Sequence, residues 1–333
     1  MIVGWLIMTI FTVVQLNCEN LFDCADDPLT QDEQFLPSSD YHWTPTRYWN
    51  KLNRVAQTII SCGQQTDDWS LPDLVALCEV ENDSCMVDLT RRSLLRKARY
   101  EYLMTHSADP RGIDVALLYA PLSFRPIRHF SLRIKPPKGM HPTRDILYVS
   151  GQTAMADTLH VFVVHAPSRV GGEPYTRPYR RRLVDRLLAA VDSLRALSAD
   201  PRILIMGDFN DTTADQNIQL ILRHGMHHVS ADAQGSHGAR GTYRFRGQWG
   251  SLDHIIADRT TAGLLSECRI NDAPFLLTDD ERYGGVQPFR SYLGPRYLNG
   301  FSDHLPLVAR FEWKKKPIKK SSRRFAKKQQ EPK

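Results

Sequence analysis

None of the six cysteines, Cys18, Cys24, Cys62, Cys78, Cys85 and Cys268, belongs to a C-x-x-C pair. None stands with histidines at zinc-like spacing either, so the sequence gives no support to a structural zinc module or a dithiol redox centre. Cys18 and Cys78 fall within or beside apolar runs, which reads as buried reduced thiols and favours a reducing compartment. There is no G-x-x-x-x-G-K-[ST] loop and no dinucleotide fingerprint. No period of roughly 20–50 residues repeats, which excludes a solenoid or propeller. The apolar opening MIVGWLIMTIFTVVQL has no basic residue before it and no A-x-A site behind it. It also falls short of the roughly 20 residues of a membrane span. Met8 as the true start would make residues 9–16 the first strand and 1–8 an extension outside the fold. A cytoplasmic location is then expected, with an uncleaved anchor or an export signal as the alternative.

Positive charge is scarce everywhere but at one end. The chain of 333 residues carries 43 Lys or Arg and 37 Asp or Glu, a formal +6. Residues 314–333, KKKPIKKSSRRFAKKQQEPK, hold ten of the bases and one acid, so 33 bases and 36 acids remain, a net −3 for the body. Such a block has too few apolar residues to fold alone and reads as a disordered tail. It would hold phosphates through counterion release, or serve only for solubility.

What is present is the composition of a soluble globular protein, 42% hydrophobic and 24% charged. Strands are expected at 12–16, 74–77, 100–105, 115–119, 124–134, 146–150, 159–164, 202–206, 243–246, 252–257 and 305–311. A helix is expected over Pro45–Cys62, capped by Thr44 and stopped by Gly63, with Leu52, Ala56 and Ile59 on one face. A second follows residue 81 with Met86, Leu89 and Leu94 inward. A third is read as capped by Thr176 and opened by Pro178, with Leu183, Leu187, Val191 and Leu194 in one stripe. A short fourth lies near 215–223. No break in composition appears before the tail, so one α/β domain with packed sheets spans residues 9–313.

One pattern recurs along that domain. An apolar strand ends abruptly in a polar cluster: VVQL-NCEN, LVAL-CEVEN, HVFVV-HAPS and RILIM-GDFND. WGSLDHI and FSDHLPL each add an Asp-His pair beside an apolar run. A buried carboxylate needs a positive or hydrogen-bonding partner. If these strands are neighbours, six segments converge on one rim. Oxygen ligands with imidazole and no thiolate suit Mg²⁺ or Mn²⁺ rather than zinc.

The ordered set NCEN, CEVEN, RGIDVALLY, HAPS, GDFND, SLDHI and SDHLP resembles the endonuclease/exonuclease/phosphatase superfamily. The motifs run from Asn17 to Pro306, nearly the whole domain. The resemblance implies a four-layered sandwich, two packed mixed β-sheets flanked by helices, and divalent-metal hydrolysis of phosphate esters. By the same resemblance Glu79 is the principal metal ligand, with Asn17 beside it and Asp303 as a metal or water ligand. Asp208 would orient or deprotonate water, and Asn210 would hold a phosphate oxygen. His304, paired with Asp253, and His165 are the two catalytic histidines, with their individual roles open. His165 argues against an abasic-site enzyme.

Arg111 and Arg144 flank strands near the expected rim and are candidates for binding substrate phosphate. Arg180, Arg181, Arg182 and Arg186 crowd the start of the third helix and are read as a solvent face. Asp211 is read as a turn or helix cap. The segment 281–300, rich in glycine, proline and aromatics, would either wall the site or pack over a sheet edge. The expectation is an Mg²⁺-dependent phosphodiesterase acting on nucleic acid, as an endonuclease. A phosphatase or phosphodiesterase for phosphoinositides or sphingolipid head groups is the alternative. A metal-dead scaffold is disfavoured because no expected catalytic residue type is replaced, and nothing points to an obligate protein partner.

Overall fold

The structure, a computed structural model, describes residues 8–64 and 69–314. The first seven residues and the tail from 315 onward lie outside it. The first sheet takes β1 (Met8–Leu21), β2 (Leu74–Val80), β3 (Glu101–Met104), β4 (Asp114–Tyr119), β13 (Leu265–Ile270) and β18 (Leu307–Lys314), in the order β13-β18-β1-β2-β4-β3. The second takes β5 (Phe124–Leu132), β6 (Ile146–Thr153), β7 (Thr158–His165), β8 (Arg202–Asp208), β9 (His227–His228) and β12 (Asp253–Ala257), in the order β5-β6-β7-β8-β12-β9. Both sheets are mixed. Each has one parallel pair, β1 with β2 and β7 with β8, and every other pairing is antiparallel. The remaining strands form small hairpins: β10–β11 (Tyr243–Phe245, Gln248–Gly250), β14–β15 (Leu277–Asp279, Val286–Pro288) and β16–β17 (Tyr292–Leu293, Arg296–Tyr297). At the ends of the described residues, Met8 of β1 pairs with Lys314 of β18.

Parallel neighbours need a crossover, and here each is a helix. Helix α1 (Pro45–Cys62) joins β1 to β2, and α3 (Glu173–Leu197) joins β7 to β8. Alternation along each strand then sorts side chains into layers. Phe11 and Val13 of β1, Val161 and Val163 of β7, Leu204 and Met206 of β8, and Ile255 and Ala257 of β12 meet between the sheets. Val14 and Leu16 face α1, whose Leu52, Val55, Ala56 and Ile59 are buried there. Val164, Ile203 and Ile205 face α3 and α4 (Gln216–Arg223) through Leu183, Leu187, Val191 and Ile218. The result is the expected sandwich of four layers, helix, sheet, sheet, helix.

The helix starts show how local chemistry sets the ends. Thr44 caps α1 by accepting the Arg47 N–H at 3.5 Å, and Pro45 opens it. Helix α3 begins three residues before the expected cap, after Gly172 at φ 106°. Pro174 is the proline whose missing N–H costs nothing there, and Pro178 lies inside the helix. The second helix is short, α2 (Asp83–Val87), and Leu94 is 50% exposed rather than inward. Extended Ser93 interrupts the helical path, and Leu95 takes the buried place. The last helix, α5 (Arg259–Ala262), is a single turn capped by Asp258.

Gly207 sits where β7 and β8 pass closest. A Cβ there would lie 1.9 Å from the Val164 carbonyl oxygen, a contact that backbone movement alone can relieve. Gly207→Ala is therefore expected to cost on the order of 3 kcal/mol in urea denaturation and to displace Asp208, its neighbour.

Candidate active site

The site continues the inter-sheet core past its last apolar row. Asn17 follows Phe11 and Val13 on the same side of β1, and Gln15 stands between them and Asn17. His165 follows Val161 and Val163, Asp208 follows Leu204 and Met206, and Asp253 precedes Ile255 and Ala257, all on the inner parity. Glu79 breaks that rule. Strict alternation would turn it toward α1 with Val75 and Leu77. Instead it occupies the left-handed region at φ 63°, and the register of β2 shifts between Cys78 and Val80 against both neighbours. This bulge re-aims the carboxylate to the rim.

A chain of contacts links the two sheets. The Asp253 carboxylate accepts a 2.7 Å hydrogen bond from His304 Nδ1. His304 Nε2 lies 3.9 Å from Asp208 Oδ2. Asn17 Nδ2 donates to Asp208 Oδ2 at 3.1 Å and to Glu79 Oε1 at 3.3 Å. Its Oδ1 accepts the Glu19 N–H at 2.9 Å, which fixes the amide's orientation. His165 Nε2 stands 3.7 Å from Glu79 Oε1 and 3.8 Å from Asp208 Oδ2. Asp303 lies across the cleft, paired with Arg290 at 2.9 Å. Asn210, in the left-handed region at φ 49°, donates its N–H to Asp208 Oδ1 and its amide to the Ala166 carbonyl. Phe209, between them, packs on the helix side.

A carboxylate partner at one and none at the other give the two buried histidines opposite pKa shifts. Burial opposes the His304 cation, but the charge and hydrogen bond of Asp253, then Asp208 and Asp303, override it and hold its pKa well above 6.5. His165 has no such partner. Burial, together with the cations Arg144, Arg111 and His304, pushes it well below 6.5, so it is neutral. Burial and the neighbouring Asp253 charge raise Asp208 to about 7, against the opposing pull of His304.

These residues fit a divalent cation bound through oxygen. Asp208, Asp253 and His304 bring ligand atoms within 4.8 Å of one another, but the Asp253–His304 pair already spends its atoms on each other. Asp208 Oδ2 and Glu79 Oε1 share the Asn17 NH2 as a donor, with His165 Nε2 3.7 Å from Glu79 and 3.8 Å from Asp208. Glu79 and Asp208 are thus the residues that would hold the ion; Asn17, expected as a ligand, turns its NH2 to them and its Oδ1 to the Glu19 N–H, so it orients them instead. Glu79 and Asp303 line one cleft of about 240 Å³, together with Arg111, Arg290, Tyr41 and Tyr292.

Of the two candidate arginines, Arg111 lines this cleft, donates to Asn20 Oδ1 at 2.8 Å and lies 3.9 Å from Glu79. Arg144 corrects the expectation. It is 5% exposed and spends its guanidinium on Asp109 at 2.7 Å and the Ala166 carbonyl at 2.9 Å, so it supports His165 from behind. Arg180 is likewise not on a solvent face but 1% exposed, donating to Asp211 at 2.8 Å. Asp211 is no cap. It is a buried acceptor for Arg180, Asn217 and Arg169, while Asp215 occupies the cap position of α4.

Three participants escape sequence reading. Gln15 donates to Asp253 Oδ1 at 3.3 Å, and its signal was an amide at inner parity in an apolar strand. Glu19 accepts from the N–H groups of Ser291 and Tyr292, and buried Lys51 stands 3.8 Å away, donating to Ser291 Oγ and the Phe301 carbonyl. Together they tie the 281–300 segment to the site, where Tyr292 stacks on Tyr41 with ring centroids 4.8 Å apart. Lys51 among the buried residues of α1 was the available clue.

A family model described as "Endonuclease/Exonuclease/phosphatase family" matches residues 12–313. The chain belongs to that family of phosphoesterases. The fold of this family member recurs in solved structures at low identity. A Bacteroides thetaiotaomicron endonuclease/exonuclease/phosphatase family protein superposes with a TM-score of 0.58 at 14% identity, covering 92% of this chain and 98% of that one. TDP2 from Caenorhabditis elegans, in truncated form, gives 0.55 at 16% identity over 91% and 98%. A mannosyl-6-phosphatase of B. thetaiotaomicron gives 0.56 at 14% identity over 90% and 98%. A search of curated proteins by sequence finds no match.

Two outcomes follow for this family member's site. Lys51→Met removes one of the two cations facing the buried Glu19 carboxylate, Arg290 at 3.6 Å being the other, and leaves Ser291 Oγ and the Phe301 carbonyl without their donor. It is expected to cost on the order of 2–3 kcal/mol by chemical denaturation, with Glu19→Gln on the same chain recovering part of it. A second concerns pH. Asp208 and His304 both have folded pKa values above their unfolded ones, so the stability they contribute is lost as pH rises through those values. The melting temperature of the chelated protein should therefore fall as pH rises above about 6.5, where unfolded His304 has lost its proton and folded His304 has not; Asp208 adds to the loss only up to about pH 7, and Asp208→Asn should remove that lower part.

Proposed function

We propose that this chain is an Mg²⁺-dependent phosphodiesterase that cleaves nucleic acid as an endonuclease, with Mn²⁺ able to replace Mg²⁺. The observation that carries the reading is the pair of histidines with opposite charge states flanking Asp208 and Glu79. Environments that push two titratable groups apart assign an acid and a base in one site. Held by Glu79 and Asp208, the metal would supply charge neutralisation on the scissile phosphate and its leaving oxygen.

The protein's own groups do the rest. Ionised Asp208 accepts a proton from the attacking water, held in place by the Asn210 N–H and the Asn17 amide. The His304 imidazolium, fixed by Asp253, faces Asp208 and stabilises the added negative charge of the pentavalent phosphorane. Neutral His165, beside Glu79 and Asp208, donates a hydrogen bond to a phosphate oxygen, and solvent protonates the released alkoxide. Arg111 at the cleft wall offers a fork for a phosphate oxygen. The stacked Tyr41 and Tyr292, in the same cleft as Arg111 and Arg290, suit a nucleotide's ring beside its phosphate.

Plasmid DNA incubated with the protein and Mg²⁺ should be nicked, and a chelator should stop the reaction. His304→Ala and Glu79→Ala should each lower the rate by about 10²–10⁴-fold. No nicking by folded protein, with phosphate released from inositol phosphates in the parallel assay, would transfer the assignment to small phosphomonoesters. Independently of turnover, Mg²⁺ at about 100 times its Kd should stabilise the wild type by about 2.7 kcal/mol in thermal melts. Glu79→Ala should lose that shift.

A further inference from the structure

A second feature concentrates charge outside the cleft. The segment that leaves β5 carries Arg133, Lys135 and Lys138, and the outer face of α3 carries Arg182 and Arg186. The five line one groove of about 690 Å³. All five are exposed, and among the described residues none takes part in an ion pair. Their neighbours behave differently. Arg177 is paired with Glu173, Arg180 with Asp211, and Arg181 with Asp185 at 2.6 Å. Asp185 is the one acid in the groove lining, and Arg181 engages it. Five uncompensated cations therefore share one groove in a body whose net charge is −3.

A depression of about 450 Å³, lined by Arg111 and Tyr179 among others, shares Arg111 with the catalytic cleft. Tyr179 precedes Arg182 of the groove by one helical turn, and its hydroxyl donates to the His141 carbonyl, which ties α3 to the loop leading back toward β6. The depression thus shares Arg111 with the cleft and reaches α3 one turn before the groove, although it has no lining residue in common with the groove.

We propose that this groove is a phosphate-backbone track that holds nucleic acid on one side of the scissile bond. The inference rests on the nucleic-acid reading above and deepens it: the substrate is a polymer that extends well beyond the cleft. A polyanion with regularly spaced phosphates matches unpaired arginines and lysines along a concave path. An anionic bilayer fits less well, because the groove lining holds two prolines and an alanine but no large aliphatic or aromatic anchor.

The test measures binding and turnover separately in the full chain. Arg182→Glu/Arg186→Glu and Lys135→Glu/Lys138→Glu are made as independent double variants, since all four side chains are exposed. Binding of a fluorescent DNA duplex of several helical turns, in chelator, is followed by anisotropy across a salt series. Each variant should bind at least about tenfold more weakly at low salt, with the slope of log K against log salt shallower by about 2. Hydrolysis of bis(p-nitrophenyl) phosphate, a diester too small to reach the groove, should match the wild type. Unchanged duplex affinity and slope in both variants, with plasmid nicking intact in the wild type, overturns the track and leaves the nuclease reading standing. A wild type that neither binds nor nicks nucleic acid overturns both. Lost sedimentation with phosphatidylserine vesicles, without lost duplex binding, assigns the groove to a membrane and overturns the proposal.

Discussion

Everything in this fold that bears on chemistry depends on carboxylates placed at the end of a dry seam. Asp208 and Asp253 continue the row of Leu204, Met206, Ile255 and Ala257 between the sheets, where water is excluded from three sides. Burial of charge there is expensive unless a partner meets it. Asp253 has its partner in His304. Asp208 shares that cation from a greater distance and is left with the Asn17 amide and the Asn210 N–H. Asp208 and Glu79 are therefore left short of positive charge, which a divalent cation held between them would supply.

The two sheets contribute unequally and symmetrically placed parts. Each has one parallel strand pair joined by a helix, and each pair ends in polar residues at the same rim. The first sheet brings Asn17 and Glu79, and the second brings His165 and Asp208. Two backbone exceptions make the meeting possible. The bulge at Glu79 turns a side chain that would face α1 into the cleft. The glycine at 207 lets β8 approach Val164 closely enough for Asp208 and His165 to stand opposite each other in register. Behind this front, Arg144 with Asp109 and Arg180 with Asp211 anchor the loops that follow β5 and β8.

Much of this was legible in the sequence. Apolar runs ending in polar clusters located the strand ends. The capping signals of α1 placed it to the residue, because Thr44, Pro45 and Gly63 act through neighbouring backbone. Where a signal was local but ambiguous, the reading slipped. Thr176 and Pro178 imitate a helix start, yet Pro174 supplies the real one. Leu94 fitted a helical stripe, but Ser93 breaks the path just before it.

The sequence by itself determined which residue types reach the rim and, except for Glu79 at its bulge, on which side of each strand they lie, since alternation and turn chemistry act over a few residues. Tertiary structure alone decided how the charges are shared. Arg144 and Arg180 look like surface arginines until Asp109 and Asp211, 35 and 31 residues away along the chain, are folded against them. Lys51 and Glu19 become a buried pair only when Ser291 and Phe301 close over them. Coulomb and desolvation energies depend on distances in space and on exclusion of water, and neither quantity is written in the order of the residues.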